Sequence, residues 1–257
     1  MNKKILPKFT RYTQIKSYND NLFRKKITKN KVENLGYNID TPTNTVELFS
    51  NFRKKIFDIC NPYIDNLSDF EYVYFTNGIT SGLDLLLQKH ETQANEKEWR
   101  YIFFHSTVTN DFRKYRYETF PSCYDGKFRE ISSSQKIILD CAYLFASNMI
   151  YNKFIPSNVE YLLLSFTKSH NLADLRAGVI FSKNKIDNLH VLQYDYGYGD
   201  LIYNDIFSVI NDYNINLLYN KYDEDFRQLY DDYGLQVNDT NLFGVNELGQ
   251  RYPYYVL

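Results

Sequence analysis

Apolar positions along this chain fall into short, sharply bounded runs. Residues 71–75 (EYVYF), 101–104 (YIFF), 136–139 (KIIL), 161–164 (YLLL) and 177–181 (AGVIF) each have the length of a buried strand. A longer period marks the helices. Leu48, Phe52, Ile56 and Cys60 recur at helical spacing behind Asn44 or Thr45 as cap, and Pro62 stops the run. A second amphipathic helix begins at 83–87, straight after the turn Thr76-Asn77-Gly78-Ile79-Thr80-Ser81-Gly82. Residues 94–100 read as a polar loop or helix end, and 116–135 as irregular chain. Beyond 185 the pattern predicts a largely helical 201–218, a solvated helix face over 223–232, and two short strands at 235–237 and 241–245.

At 257 residues the chain can bury one large core with a smaller partner. A net charge of −1 implies neither nucleic acid nor membrane for the whole chain. The charge is uneven, however. Residues 1–32 carry ten Lys or Arg against the single Asp20, with Tyr12, Tyr18 and Phe23 among them. Such an arm can meet a polyanion such as nucleic acid, or pack on a partner subunit with its charges in water. The absence of a nucleic-acid motif favours packing. Three scattered cysteines, Cys60, Cys123 and Cys141, have no metal-ligand spacing and fit a reducing compartment. No run reads as a membrane span and the N-terminus has no signal-peptide core, so a cytoplasmic protein without a metal is expected.

Three places carry chemistry. The polar connection between the runs at 161–164 and 177–181 holds Ser165, Thr167, Lys168 and Arg176. A lysine at the end of a buried strand loses hydration and its pKa falls, which suits imine formation with an aldehyde. The ordinary alternative is a stem that covers apolar surface while the ammonium reaches water. Asp140 ends the run at 136–139, where a carboxylate is costly unless a positive group or a helix cap meets it. The glycine turn at 76–82 joins a strand to a helix, a place where backbone N–H groups can hold an anion.

Ser165-Phe166-Thr167-Lys168, with Arg176 eight residues on and Gly178 after it, resembles the S-x-[ST]-K…R-x-G signature of fold type I pyridoxal-phosphate enzymes. The likeness is to the aminotransferases of that group, including histidinol-phosphate aminotransferases. Asp140-Cys141-Ala142-Tyr143 matches the D-x-A-Y spacing, and TNGITSG resembles the phosphate-binding turn. The three pieces stand in the family's order. The resemblance covers about residues 34–183. It departs at Asp174, where the family often has Gly, and in lacking an Asn-Pro-x-Gly turn over 116–135.

The resemblance implies an aspartate aminotransferase fold, with a mainly parallel seven-stranded α/β sheet and a reduced C-terminal domain. The expected divisions are a basic arm (1–33), a large domain (34–185) and a small domain (186–257). It implies pyridoxal 5'-phosphate held by Lys168 as a Schiff base. Asp140 would face the ring nitrogen and Tyr143 the phenolic oxygen. Gly78, Ile79, Thr80, Ser165, Arg176 and Thr167 would grip the phosphate. An aromatic or His beyond the strand at 101–104 would stack on the ring, His105 before Phe112 and Tyr115. Tyr37 and Arg251, with Arg227 in reserve, are the substrate candidates. The implied activity is transamination between an amino donor and a keto acceptor in a homodimer. Decarboxylation, elimination, epimerisation and a non-catalytic scaffold are the alternatives.

Overall fold

The computed structural model describes residues 5–7, 45–132, 134–148, 155–166, 168, 176–197 and 217–256. Helix α1 (Thr45–Cys60) is followed by strand β2 (Tyr72–Asn77), helix α2 (Gly78–Lys89) and strands β3 (Thr92–Ala94), β4 (Val108–Thr109), β5 (Tyr115–Thr119), β6 (Lys136–Cys141), β7 (Val159–Ser165) and β8 (Ala177–Ser182). Helix α3 (Asp187–His190) continues into a π turn, Val191–Asp195. Helix α4 (Leu217–Tyr233) and strands β9 (Phe243–Val245) and β10 (Arg251–Val256) close the chain. Strand β1 (Ile5–Pro7), from the basic arm, pairs antiparallel with β10, which pairs with β9.

The main sheet has seven strands in the order β2-β8-β7-β6-β5-β3-β4. Only β8 runs against its neighbours; the other pairings are parallel. The carboxyl ends of β2, β7, β6 and β5 therefore share one edge with the start of β8. In an α/β sheet that edge is where ligands bind. Side chains alternate across the sheet. Leu162, Leu164, Val179 and Phe181 face Phe49, Phe52 and Ile56 of α1 and Phe226 of α4. Leu163 and Ile180 face Leu83, Leu86 and Leu87 of α2. In α4 Tyr222, Phe226, Leu229 and Tyr230 are buried, so its acidic residues lie on the outer side.

The strands expected at 71–75, 136–139, 161–164 and 177–181 are present within a residue or two. The strand expected at 101–104 is not. Arg100–Phe104 forms a 3-10 turn in which only Ile102 is buried, while Phe104 is 84% exposed. Apolar content there marks surface aromatics rather than core. Strands β3, β4 and β5, two to five residues long, were not expected; β3 ends where the polar stretch 94–100 begins, and β5 runs into the stretch 116–135 read as irregular. Residues 201–216 lie outside the described set. Among the described residues no helix is long and apolar enough to cross a membrane.

Candidate active site

The turn between β2 and α2 is set by glycine. Gly78 has φ +71°, a conformation other residues adopt at a cost. Gly178, the second residue of β8, lies against it so closely that a β-carbon there would stand 2.5 Å from Gly78 C and from Ile79 N. Two hydroxyls fasten the turn. Thr76 Oγ1 donates to the Gly78 carbonyl at 3.0 Å and Ser81 Oγ to the Asn77 carbonyl at 2.9 Å. Asn77 makes no side-chain cap, so α2 presents its first N–H groups at this edge. Arg176, with φ 51°, brings its guanidinium over the same spot: a β-carbon on Gly78 would lie 3.2 Å from Arg176 Nε. Ser165 is buried opposite Gly178 in the β7–β8 register. The first N–H groups of a helix and a guanidinium around one glycine turn form an anion cradle.

Asp140 is the penultimate residue of β6, two strands from β8. It is 4% exposed. Tyr117 Oη donates to Oδ2 at 2.7 Å and the Ala142 N–H to Oδ1 at 2.8 Å. Burial raises the Asp140 pKa, while the Tyr117 hydroxyl, the Ala142 N–H and the field of Lys168 pull it back. Lys168 lies past the end of β7, partly buried. Its amine is lowered to about 8, by desolvation first and by the charge of Arg176 second, with that of Asp140 opposing both. Lys168 thus lies within the fields of both Asp140 and Arg176. An amine lowered to about 8, a buried acid and an anion cradle share one sheet edge.

Tyr143 packs edge-on against Phe243, 6.0 Å between ring centres. Burial raises its phenol, with Cys123 and Asp140 adding and Arg251 opposing. Arg251 donates from Nη1 to the Cys123 carbonyl at 2.7 Å, which ties β10 to the segment after β5. Arg227 bonds Asp223 on the exposed side of α4 and stands apart from these groups. Tyr37, Thr167 and Asp174 lie outside the described residues.

The ring-stacking expectation is corrected. His105 follows no strand; it precedes β4 and its Nε2 meets Asp84 Oδ1, midway along α2, at 3.0 Å. Phe112 is 75% exposed. Tyr115 opens β5 at the end remote from Asp140 and stacks on His90 with 4.2 Å between centres. A further aromatic, which sequence reasoning passed over, is Trp99, stacked on Tyr101 with 4.9 Å between ring centres. It follows β3, is half-buried, and its neighbour Glu98 accepts a 2.6 Å hydrogen bond from Thr119 Oγ1 at the end of β5. The signal available was that Trp99 is the only tryptophan in the chain.

No protein family's sequence model matches the chain, and no curated protein matches it in sequence. Solved structures do match in fold. An aminotransferase from Staphylococcus aureus shares 12% identity at a TM-score of 0.63, over 94% of this chain and 87% of that one. Histidinol-phosphate aminotransferase from Sinorhizobium meliloti, in complex with pyridoxal-5'-phosphate, shares 11% at 0.64, over 95% and 74%. L-threonine-O-3-phosphate decarboxylase from Porphyromonas gingivalis shares 13% at 0.60, over 92% and 80%. At such identities the likeness is one of fold: the chain has the aspartate aminotransferase-type fold.

Proposed function

We propose that this chain binds pyridoxal 5'-phosphate at the edge formed by β2, β6, β7 and β8, and transfers an amino group between an amino donor and a keto acceptor. The observation that carries the reading is the placement of Lys168 and Asp140 within each other's fields, beside the turn where Gly178 and Arg176 meet Gly78. Asp140 tests the fit. It is buried and takes hydrogen bonds from the neutral Tyr117 hydroxyl and Ala142 N–H, and a protonated ring nitrogen would add a charge of the sign that a buried carboxylate favours.

When bound, the cofactor supplies a carbonyl that captures amines and a ring that draws electrons from the adjoining carbon. The chain's own residues do the rest. The N–H groups of Gly78, Ile79 and Thr80, with Ser165, Thr167 and Arg176, hold the phosphate. Lys168 Nζ would hold the cofactor's carbonyl carbon and, when free, would move the proton at the substrate's α-carbon, a task suited to an amine near 8. Tyr143 orients the phenolic oxygen, and Trp99 covers the ring. Arg251 is assigned to a substrate carboxylate and Tyr37 to the loop that reaches the substrate, in a cytoplasmic homodimer. Retaining that carboxylate favours transamination over decarboxylation, although one structural neighbour is a decarboxylase.

The test is the visible absorbance of the purified protein given pyridoxal 5'-phosphate, followed by borohydride and peptide mapping. Wild type should develop a yellow band and yield a label on Lys168; Lys168→Ala should do neither. Loss of the band on adding an amino acid, with keto acid released, would establish transfer. A wild-type protein that takes up no cofactor would overturn the reading in favour of a scaffold.

A further inference from the structure

The C-terminal hairpin carries an arginine on its buried side. In the β9–β10 register Arg251 stands opposite Val245, and Pro253 opposite Phe243. Residues opposite one another on antiparallel strands share a face, and so do alternate residues of one strand. Arg251 therefore shares the face of Phe243 and Val245, both of which are buried. Diagonal neighbours across such a pair lie within reach when one side chain is long and the other aromatic. The Arg251 guanidinium accordingly lies over the Phe243 ring, 5.8 Å from its centre. The hairpin is fastened to the segments that follow β6 and β5. Thr240 Oγ1 and the Asn241 N–H both donate to the Ala146 carbonyl, at 3.0 and 3.1 Å. Gly249 lies so close to Tyr124 that a β-carbon there would stand 2.7 Å from the tyrosine hydroxyl.

These ties bring Phe243 into contact with two groups of the site. One is Tyr143, edge-on with 6.0 Å between ring centres; the other is the Arg251 guanidinium. A second contact fixes that guanidinium, since Arg251 Nη1 donates to the Cys123 carbonyl at 2.7 Å. The carbonyl occupies one N–H, and the ring face attracts the charge without occupying any. Donors therefore remain for an anion, in the planar fork that matches a carboxylate. A side chain held by a ring and a carbonyl has already given up rotamer freedom, so it loses less on binding.

We propose that Phe243 is the positioning residue for Arg251: its ring face, with the Cys123 carbonyl, holds the guanidinium so that its remaining N–H groups meet the carboxylate of the amino substrate. The inference rests on the reading above, in which Arg251 receives that carboxylate. Phe243 acts through Arg251, and its working part is the aromatic face rather than its bulk. Because the same ring packs on Tyr143, it also fixes the spacing between the carboxylate end of the site and the phenolic-oxygen end.

The experiment follows the Arg251 Nε–H signal by heteronuclear NMR in protein given pyridoxal 5'-phosphate, with propionate added as the carboxylate probe. The signal is assigned by its loss in Arg251→Lys. In wild type it should carry the ring-current shift of a group over an aromatic face, and it should move as propionate binds. Phe243→Met fills the space without a ring. It should lose the ring-current shift and bind propionate about five- to tenfold more weakly. Phe243→Tyr keeps the ring and should keep both properties. A Phe243→Met protein that binds propionate as wild type does would overturn the proposal. Equal loss of affinity in Phe243→Tyr and Phe243→Met would also overturn it, by making packing rather than the ring the cause. Absence of the ring-current shift from wild type would overturn it even if neither variant folded. A wild-type Arg251 signal that ignores propionate would strike the assignment of Arg251 and the inference with it. A wild-type protein that develops no yellow band would strike the function proposed above, a result read in the absorbance and distinct from all of these.

Discussion

Gln193 pairs with Phe75 as a neighbouring strand would. The Phe75 N–H donates to Gln193 Oε1 at 2.9 Å, and Gln193 Nε2 donates to the Phe75 carbonyl at 2.6 Å. Strand β2 is the edge of the seven-stranded sheet, and an open edge invites pairing with other chains. One residue on, Tyr194 Oη accepts the Val73 N–H at 3.0 Å, with the Arg53 guanidinium 3.8 Å above the Tyr194 ring. The π turn after α3 thereby closes the strand that leads into the glycine turn at Gly78. Sheet edge and anion cradle are one continuous construction.

Gln193→Leu should therefore destabilise the protein by about 1–3 kcal/mol, since two backbone groups of Phe75 lose their partners. Urea denaturation checks the loss, and light scattering should register more self-association. Unchanged stability would mean that water or a neighbour serves Phe75 equally well.

Gly178→Ala should separate β8 from the glycine turn. A β-carbon at 2.5 Å from two backbone atoms cannot be absorbed by a side-chain shift. The expected cost is about 1–3 kcal/mol of stability, with cofactor affinity down at least about tenfold. Thermal melting and a cofactor titration read the two effects separately.

Reaction of Lys168 with an aldehyde, trapped by borohydride, should rise with pH around 8, because the neutral amine is the nucleophile. Asp140→Asn removes the charge that holds the ammonium up, so the midpoint should fall below that of wild type. A depressed lysine also has a sign in stability. Its charge is penalised in the fold below about 8, and the penalty is relieved between there and the ordinary 10.5, so stability should gain over that window. A pH series of melting temperatures for wild type and Lys168→Ala isolates that contribution.

Tyr117→Phe should raise the Asp140 pKa further, since the tyrosine donates to the ionised carboxylate at 2.7 Å. A carboxyl raised by burial lowers stability as pH climbs from its ordinary range through its folded value. In the variant that decline should extend to higher pH, and cofactor affinity should drop. Identical pH–melting curves for the two proteins would show that Tyr117 does not govern the charge of Asp140.

Much of this arrangement was legible in the linear chain because it is local. A buried strand is a contiguous apolar run, and the groups at strand ends, Gly78, Asp140, Ser165 and Lys168, follow such runs directly. Glycine turns and strand-end charges are therefore visible in any reading of the chain, as is the helix at Thr45–Cys60. Strands β3 to β5 were not, because strands of two to five residues take their form from neighbours in the sheet rather than from their own pattern. The aromatic run at 101–104 misled for the converse reason: apolar side chains can remain at the surface. Tertiary contact alone decided that Gly178 presses on Gly78, that Tyr117 bonds Asp140 from the next strand, that Glu98 meets Thr119 at the end of β5, and that Gln193 closes the sheet 118 residues from Phe75. Each joins elements distant in the chain, where spacing carries no information and only the packed sheet sets who meets whom.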